Sequence, residues 1–173
     1  MAKRGRPTKV KQINSNFNVE LNLVKMQDVT FNDDLFIPMK TKTIVDSLLS
    51  SEGGLFPGTN TVVIGDPGVG KSTVLLDWIA DMQKQGKKVL FISGEMNDID
   101  MYGYVKRFPK FGSLPILFMQ DYNNCPKQAV EQVLNQGYDI VLMDSWAEVT
   151  AMVKDQMGWA RNKVESWLLE LLE

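Results

Sequence analysis

Gly65-Asp66-Pro67-Gly68-Val69-Gly70-Lys71-Ser72-Thr73 is the stretch on which the reading of this chain turns. Its spacing is G-x-x-x-x-G-K-S, the Walker A pattern, and it stands between a β-branched run, Thr61-Val62-Val63-Ile64, and a segment of helical apolar spacing. Phosphate charge must be neutralised without bulky neighbours. The glycines let successive backbone N–H groups of Gly65 to Gly70 turn inward, and the following helix adds the positive end of its dipole. Lys71 is placed to reach the β- and γ-phosphates of a nucleotide, Ser72 to offer its hydroxyl to Mg²⁺, and Thr73 to touch the α-phosphate. A glycine-rich turn with a chance lysine is the plainer alternative, but the spacing and both flanks argue against it.

Working outward, Thr61 to Ile64 reads as the first core strand. Lys71 to Gln85 places Val74, Leu75, Ile79 and Met82 on one helical face, with Gly86 as the stop. Lys88 to Ile92 is the next buried strand and ends in Ser93-Gly94-Glu95. A helix from about Asp98 to Arg107 stops before Pro109, Ile116 to Met119 gives a third strand, and Pro126 opens a helix running to Gln136. Ile140 to Met143 is the fourth strand, closed by Asp144-Ser145. Lys154 to Glu173 spaces Met157, Ala160, Val164, Trp167, Leu168 and Leu171 as one amphipathic helix. Upstream, a short helix around Ile44 to Leu49 leads into the Gly53 to Gly58 loop. Strands alternating with helices predict an α/β fold with a parallel sheet covered on both faces.

Composition narrows the chemistry. In 173 residues there is one cysteine and no histidine, so the usual zinc ligand sets and the commonest general base are missing. Metal chemistry must use oxygen ligands, and a hydrolytic step must use a carboxylate. No apolar run approaches a membrane span and the N-terminus does not resemble a secretory signal, which predicts a cytosolic protein without membrane contact. The net charge of -2 hides an asymmetry: Lys3, Arg4, Arg6, Lys9 and Lys11 give residues 1–11 a charge of +5, against 14 cations and 21 acids, or -7, elsewhere. Residues 1–17 read as a solvated basic tail, and 41–173 as the folded core.

Two carboxylates stand out. Asp144 follows four apolar residues at a strand end, the Walker B arrangement for a carboxylate that orients the hydration shell of Mg²⁺ across from Ser72; a turn-capping Asp is the bland alternative. Glu95 ends the strand after the Walker A helix and is placed to polarise the water that attacks a γ-phosphate. Its alternatives are capping the helix near Asn97 or pairing with Lys71.

These four segments, Gly53 to Gly58, Gly65 to Thr73, Val89 to Met96 and Val141 to Ser145, occur in the order and spacing of the RecA-like P-loop ATPases. The resemblance is closest to the RadA (Sms) group, whose strand after Walker A also ends in Ser-Gly-Glu; DnaB-type helicases come next. It implies an ATP- and Mg²⁺-dependent ATPase of DNA repair or recombination, with Lys71 and Glu95 catalytic. It further implies single-stranded or branched DNA as partner and a homo-oligomer with ATP between subunits. Three departures limit the transfer. There is no four-cysteine zinc ribbon, and the family's lysine-containing DNA-facing motif and protease-like domain lie beyond residue 173. The strand that the family places between its Walker A and Walker B strands is also missing. The chain is therefore expected to be an N-terminal portion of a longer protein.

Arg4-Gly5-Arg6-Pro7 resembles an AT-hook, in which two arginines lie along A·T base edges in the minor groove; a basic tail of no fixed function is the alternative. Lys106, Arg107 and Lys110 form a small cluster facing DNA, a neighbour's phosphates, or solvent. Trp78 and Trp167 read as packing residues, while Trp146 is placed to lie beside nucleotide or DNA. Three other functions stay open: a helicase motor, a kinase-like enzyme whose Walker A and B strands are adjacent, and a DNA-associated protein that binds nucleotide without hydrolysing it. No Asn-Lys-x-Asp guanine motif is present.

Overall fold

The structure is a computed structural model that describes residues 22–30 and 33–172. The basic segment 1–17, with Arg4 and Arg6, lies outside the described residues. The chain divides into two units, Met1–Asn32 and Asp33–Glu173. In the first, a short 3-10 turn at Met26–Asp28 is exposed and buries nothing. Everything that follows concerns the second.

Three strands, β1 (Val89–Ser93), β2 (Ile116–Phe118) and β3 (Ile140–Asp144), form a parallel sheet in the order β2-β1-β3. Phe91 pairs with Ile116 on one side and Leu142 on the other, and Ser93 lies opposite both Phe118 and Asp144. All three carboxyl ends therefore meet at one edge. Among the described residues six α-helices accompany them: α1 (Asp46–Leu49), α2 (Lys71–Lys84), α3 (Asp98–Arg107), α4 (Pro126–Leu134), α5 (Trp146–Met157) and α6 (Arg161–Leu172).

The central strand is buried throughout because both its faces are covered. Side chains alternate along a strand, so Val89 and Phe91 join Leu76, Trp78, Ile79 and Met82 of α2 in one cluster. Leu90 and Ile92 point the other way, into a cluster with Val130 of α4, Val149 of α5 and Leu168 of α6. Burying Phe91 alone stabilises the fold by roughly 1.5–3 kcal/mol. The α/β architecture with helices on both faces of a parallel sheet agrees with the periodicity.

Two expectations are corrected. Thr61–Ile64 is not a core strand: it has no ladder, and Val62 and Ile64 are 82% and 87% exposed. A β-branched run becomes a strand only when a neighbour completes its hydrogen bonds. Among the described residues β1 is paired on both sides, and Thr61–Ile64 joins neither edge strand, β2 or β3. Second, the expected single helix from Lys154 to Glu173 is two. Gly158 takes the left-handed conformation (φ 62°) and ends α5, and α6 starts at Arg161. The short helix expected around Ile44 to Leu49 is present as a single turn, Asp46–Leu49, with Ile44 and Leu48 exposed. What fixes that turn is Asp46, whose buried carboxylate accepts four hydrogen bonds. They come from Thr41 N (2.9 Å), Thr41 Oγ1 (2.8 Å), Lys42 N (2.7 Å) and Trp78 Nε1 (2.9 Å).

Candidate nucleotide site

The helix that follows the glycine-rich loop starts at Lys71, directly after Gly70, whose φ of 94° is open to glycine and strained for other residues. No side chain caps this N-terminus, and the first intrahelical bond is Val74 N to Gly70 O at 3.0 Å. The amides of the first turn thus point out of the helix end without side-chain partners, and the absence of any acid in that turn leaves the positive end of the dipole uncancelled. Residues 65–69 are exposed and Gly70 to Thr73 half-buried, so the loop is open to an entering ligand. The Lys71 ammonium folds back on the loop and donates to the carbonyls of Gly65 (2.8 Å) and Asp66 (2.9 Å).

The helix is anchored away from the loop. Trp78 bonds Asp46, and Lys110 reaches Asp77 at 2.6 Å and Asp81 at 3.1 Å. Burial opposes charge on Asp46, but the hydrogen bonds from Thr41, Trp78 and Lys42 outweigh it and hold the carboxyl below its ordinary range. Burial likewise works against the Lys110 ammonium, and its two carboxylate partners overcome this and raise its pKa. α2 presents the loop from a fixed base.

Seventy-two positions apart in sequence, the Ser72 hydroxyl donates to Asp144 Oδ2 at 2.5 Å. This contact brings the Walker A serine and the strand-end aspartate to one point, where they offer a hydroxyl and a carboxylate oxygen. Hard oxygen donors of this kind suit Mg²⁺. Among the described residues there is no group of three or more His, Cys, Asp or Glu side chains able to cage a metal. A pair of protein oxygens fits an ion that keeps most of its waters and takes phosphate oxygens as well.

Glu95 lies just beyond the end of β1. Gly94 N donates to Asp144 O at 2.8 Å, which ties this tip to the aspartate strand. Gly94 is needed for a steric reason: a Cβ there would stand 2.9 Å from Glu148 Cβ and 3.3 Å from Ser145 O at the start of α5. The buried Ser93 hydroxyl accepts from Met96 N (3.1 Å) and donates to Met96 O (2.8 Å). The next helix is capped by Asn97 and Asp100 rather than by Glu95. The Glu95 carboxylate is exposed and has no partner among the described residues, and Lys71 is engaged elsewhere. Both plain alternatives for Glu95 are therefore absent from this structure.

The remaining candidates separate. Lys110 pairs with Asp77 and Asp81, and the Arg107 guanidinium lies 5.1 Å from the Tyr104 ring centre, leaving Lys106 exposed, so the three do not form one basic cluster. Trp146 packs, partly buried, against the cluster that holds Leu90 and Val149, and Trp167 donates to Glu131 at 3.2 Å. Sequence reasoning missed Gln120, at the end of β2, whose side-chain amide donates to the Glu95 carbonyl at 3.3 Å. No local pattern marks it; only the parallel pairing of β2 with β1 brings it there.

No helix among the described residues is long and apolar enough to cross a membrane. No protein-family model and no solved structure matches the chain. Curated relatives do. The DNA repair protein RadA of Campylobacter jejuni is 37% identical over 93 residues, 54% of this chain and 20% of its own length. RadA of Chlamydia muridarum is 32% identical over 122 residues, 70% of this chain and 26% of its own. RadA of Listeria monocytogenes is 56% identical over 43 residues, 25% of this chain and 9% of its own. The chain thus spans about a quarter or less of these relatives, and it carries a region similar to the DNA repair protein RadA.

Proposed function

We propose that this chain is the nucleotide-binding portion of a RecA-like P-loop ATPase that acts on DNA in repair or recombination. The Ser72 to Asp144 contact carries the reading, because it joins the helix start that cups phosphate to the strand end that handles magnesium. In this reading the amides of residues 65–73 and the Lys71 ammonium hold the phosphates. Ser72 and Asp144 hold Mg²⁺, which when bound draws charge from the β- and γ-phosphate oxygens. Glu95 takes a proton from the attacking water as its oxygen bonds to the γ-phosphorus and the bond to the bridging oxygen breaks, releasing ADP and phosphate. The RadA-like region supports DNA as the partner; single-stranded or branched DNA, met by the basic Arg4 and Arg6 segment, belongs to the same proposal. Assembly as a ring or filament with ATP between subunits belongs to the same proposal.

The test is ATP turnover with and without single-stranded DNA. Lys71→Ala should abolish nucleotide binding or turnover. Glu95→Gln should retain binding and slow turnover about 100-fold or more, as expected on removal of a general base. Unchanged turnover in both variants overturns the proposal. One observation favours a second reading, in which nucleotide is bound and turned over little: Thr61–Ile64, the run leading into the loop, has no strand beside it. DNA-insensitive binding without hydrolysis would select that reading. Strand separation driven by ATP would select a helicase motor.

A further inference from the structure

We propose that Gln120 is a positioning residue for Glu95, an inference that rests on Glu95 being the proton acceptor. Asp144 is the last residue of β3, and Glu95 and Gln120 stand two residues beyond the ends of β1 and β2, so the parallel sheet delivers all three to one edge. The connector from β1 to α3 is held on both sides of Glu95. Before it, Gly94 N is bonded to Asp144 O at 2.8 Å. After it, Met96 is gripped at its N–H and its carbonyl by the Ser93 hydroxyl, and Asn97 caps α3.

The Met96 N to Ser93 Oγ bond holds the N–H of the peptide unit joining Glu95 to Met96, and among the described residues the one bond to an atom of Glu95 itself is from Gln120 Nε2 to the Glu95 carbonyl, at 3.3 Å. That carbonyl belongs to the peptide unit joining Glu95 to Met96, so its direction records the rotation of the chain about the Glu95 Cα. With an exposed, unpartnered carboxylate, no contact of its own fixes the side chain, and its placement depends on how the backbone at Glu95 is held. A general base works only within hydrogen-bond reach of its proton, and misplacement by about 1 Å can cost on the order of 100-fold. Gln120 acts on the reaction through the backbone of Glu95 and touches neither nucleotide nor water.

The experiment uses the whole chain and two substitutions, Gln120→Ala and Gln120→Glu, the second keeping the shape while losing the N–H donor. Both should lower kcat about tenfold with KM for ATP changed less than about twofold, and neither should lower kcat further in a Glu95→Gln background. Wild-type kcat in either variant, or an equal loss with and without the Glu95 carboxylate, overturns the inference. Normal turnover in Glu95→Gln alone strikes at the base itself, and the inference falls with it. A readout independent of turnover is the ¹³C shift of the Glu95 carbonyl together with the order parameter of the Met96 amide. Both should change in both Gln120 variants; no change overturns the inference even if turnover is too slow to measure.

Discussion

Replacing Asp46 by alanine tests whether α2 depends on a buried polar anchor. The carboxylate accepts four hydrogen bonds, and its donors differ in their access to water. Lys42 N is in an exposed residue and can be rehydrated, and the Thr41 hydroxyl still has Thr43 Oγ1 at 2.7 Å. Trp78 Nε1 and Thr41 N belong to residues that are 1% and 9% exposed, and they have no replacement. Leaving a buried donor unsatisfied costs about 1–3 kcal/mol, so the two together predict a loss of roughly 2–6 kcal/mol. That is a large fraction of the about 5–15 kcal/mol that holds an ordinary domain. Urea unfolding followed by tryptophan fluorescence reads it directly, since Trp78 is one of the donors. Trp78→Phe withdraws only one bond to the charged group, worth about 1.5–3 kcal/mol, and remains measurable if Asp46→Ala does not fold. The pH dependence gives an independent check. The folded carboxyl titrates below its ordinary value of 3.8. Its stabilisation is therefore complete above that value and is lost as pH falls through it toward the lower folded pKa. Asp46→Asn should flatten this acid limb. A loss below about 1 kcal/mol in Asp46→Ala, together with an unchanged acid limb in Asp46→Asn, would refute the anchor.

Two further outcomes are expected. Gly94→Ala places a Cβ 2.9 Å from Glu148 Cβ, which is fixed to the first turn of α5, so the helix must shift; stability should fall by about 1–3 kcal/mol, and a melting temperature equal to that of the parent chain would show that α5 does not press on this tip. Arg4→Ala combined with Arg6→Ala should weaken DNA binding at low salt and reduce the slope of log affinity against log salt by about 2; identical affinity would remove the tail from the DNA contact.

Much of this arrangement is legible in local sequence. The segments that became α2, β1, α3 and β3 each carry their own boundary: a glycine loop before Lys71, Ser93-Gly94-Glu95 closing the strand from Lys88, Pro109 after the helix ending at Arg107, and an acid at Asp144. The approach of Ser72 to Asp144 follows once both motifs are placed on a parallel sheet. Thr61–Ile64 misled because its four β-branched residues state a preference for a strand, whereas a strand requires a partner and none is present among the described residues. The break at Gly158 was obscured by apolar spacing that continues through it from Val153 to Val164, both fully buried. Gln120 and the close packing of Gly94 were out of reach, since each depends on which element lies across the sheet edge.

The two carbonyls that hold Lys71 also influence which ligands enter. An arriving anion does not fill a vacant cation site; it must outcompete a pair of oxygens already in place, so occupancy is an exchange. In the proposed nucleotide-binding reading, a phosphate repays that displacement only when it reaches the Lys71 ammonium and sets its negative charge where the two carbonyls now stand.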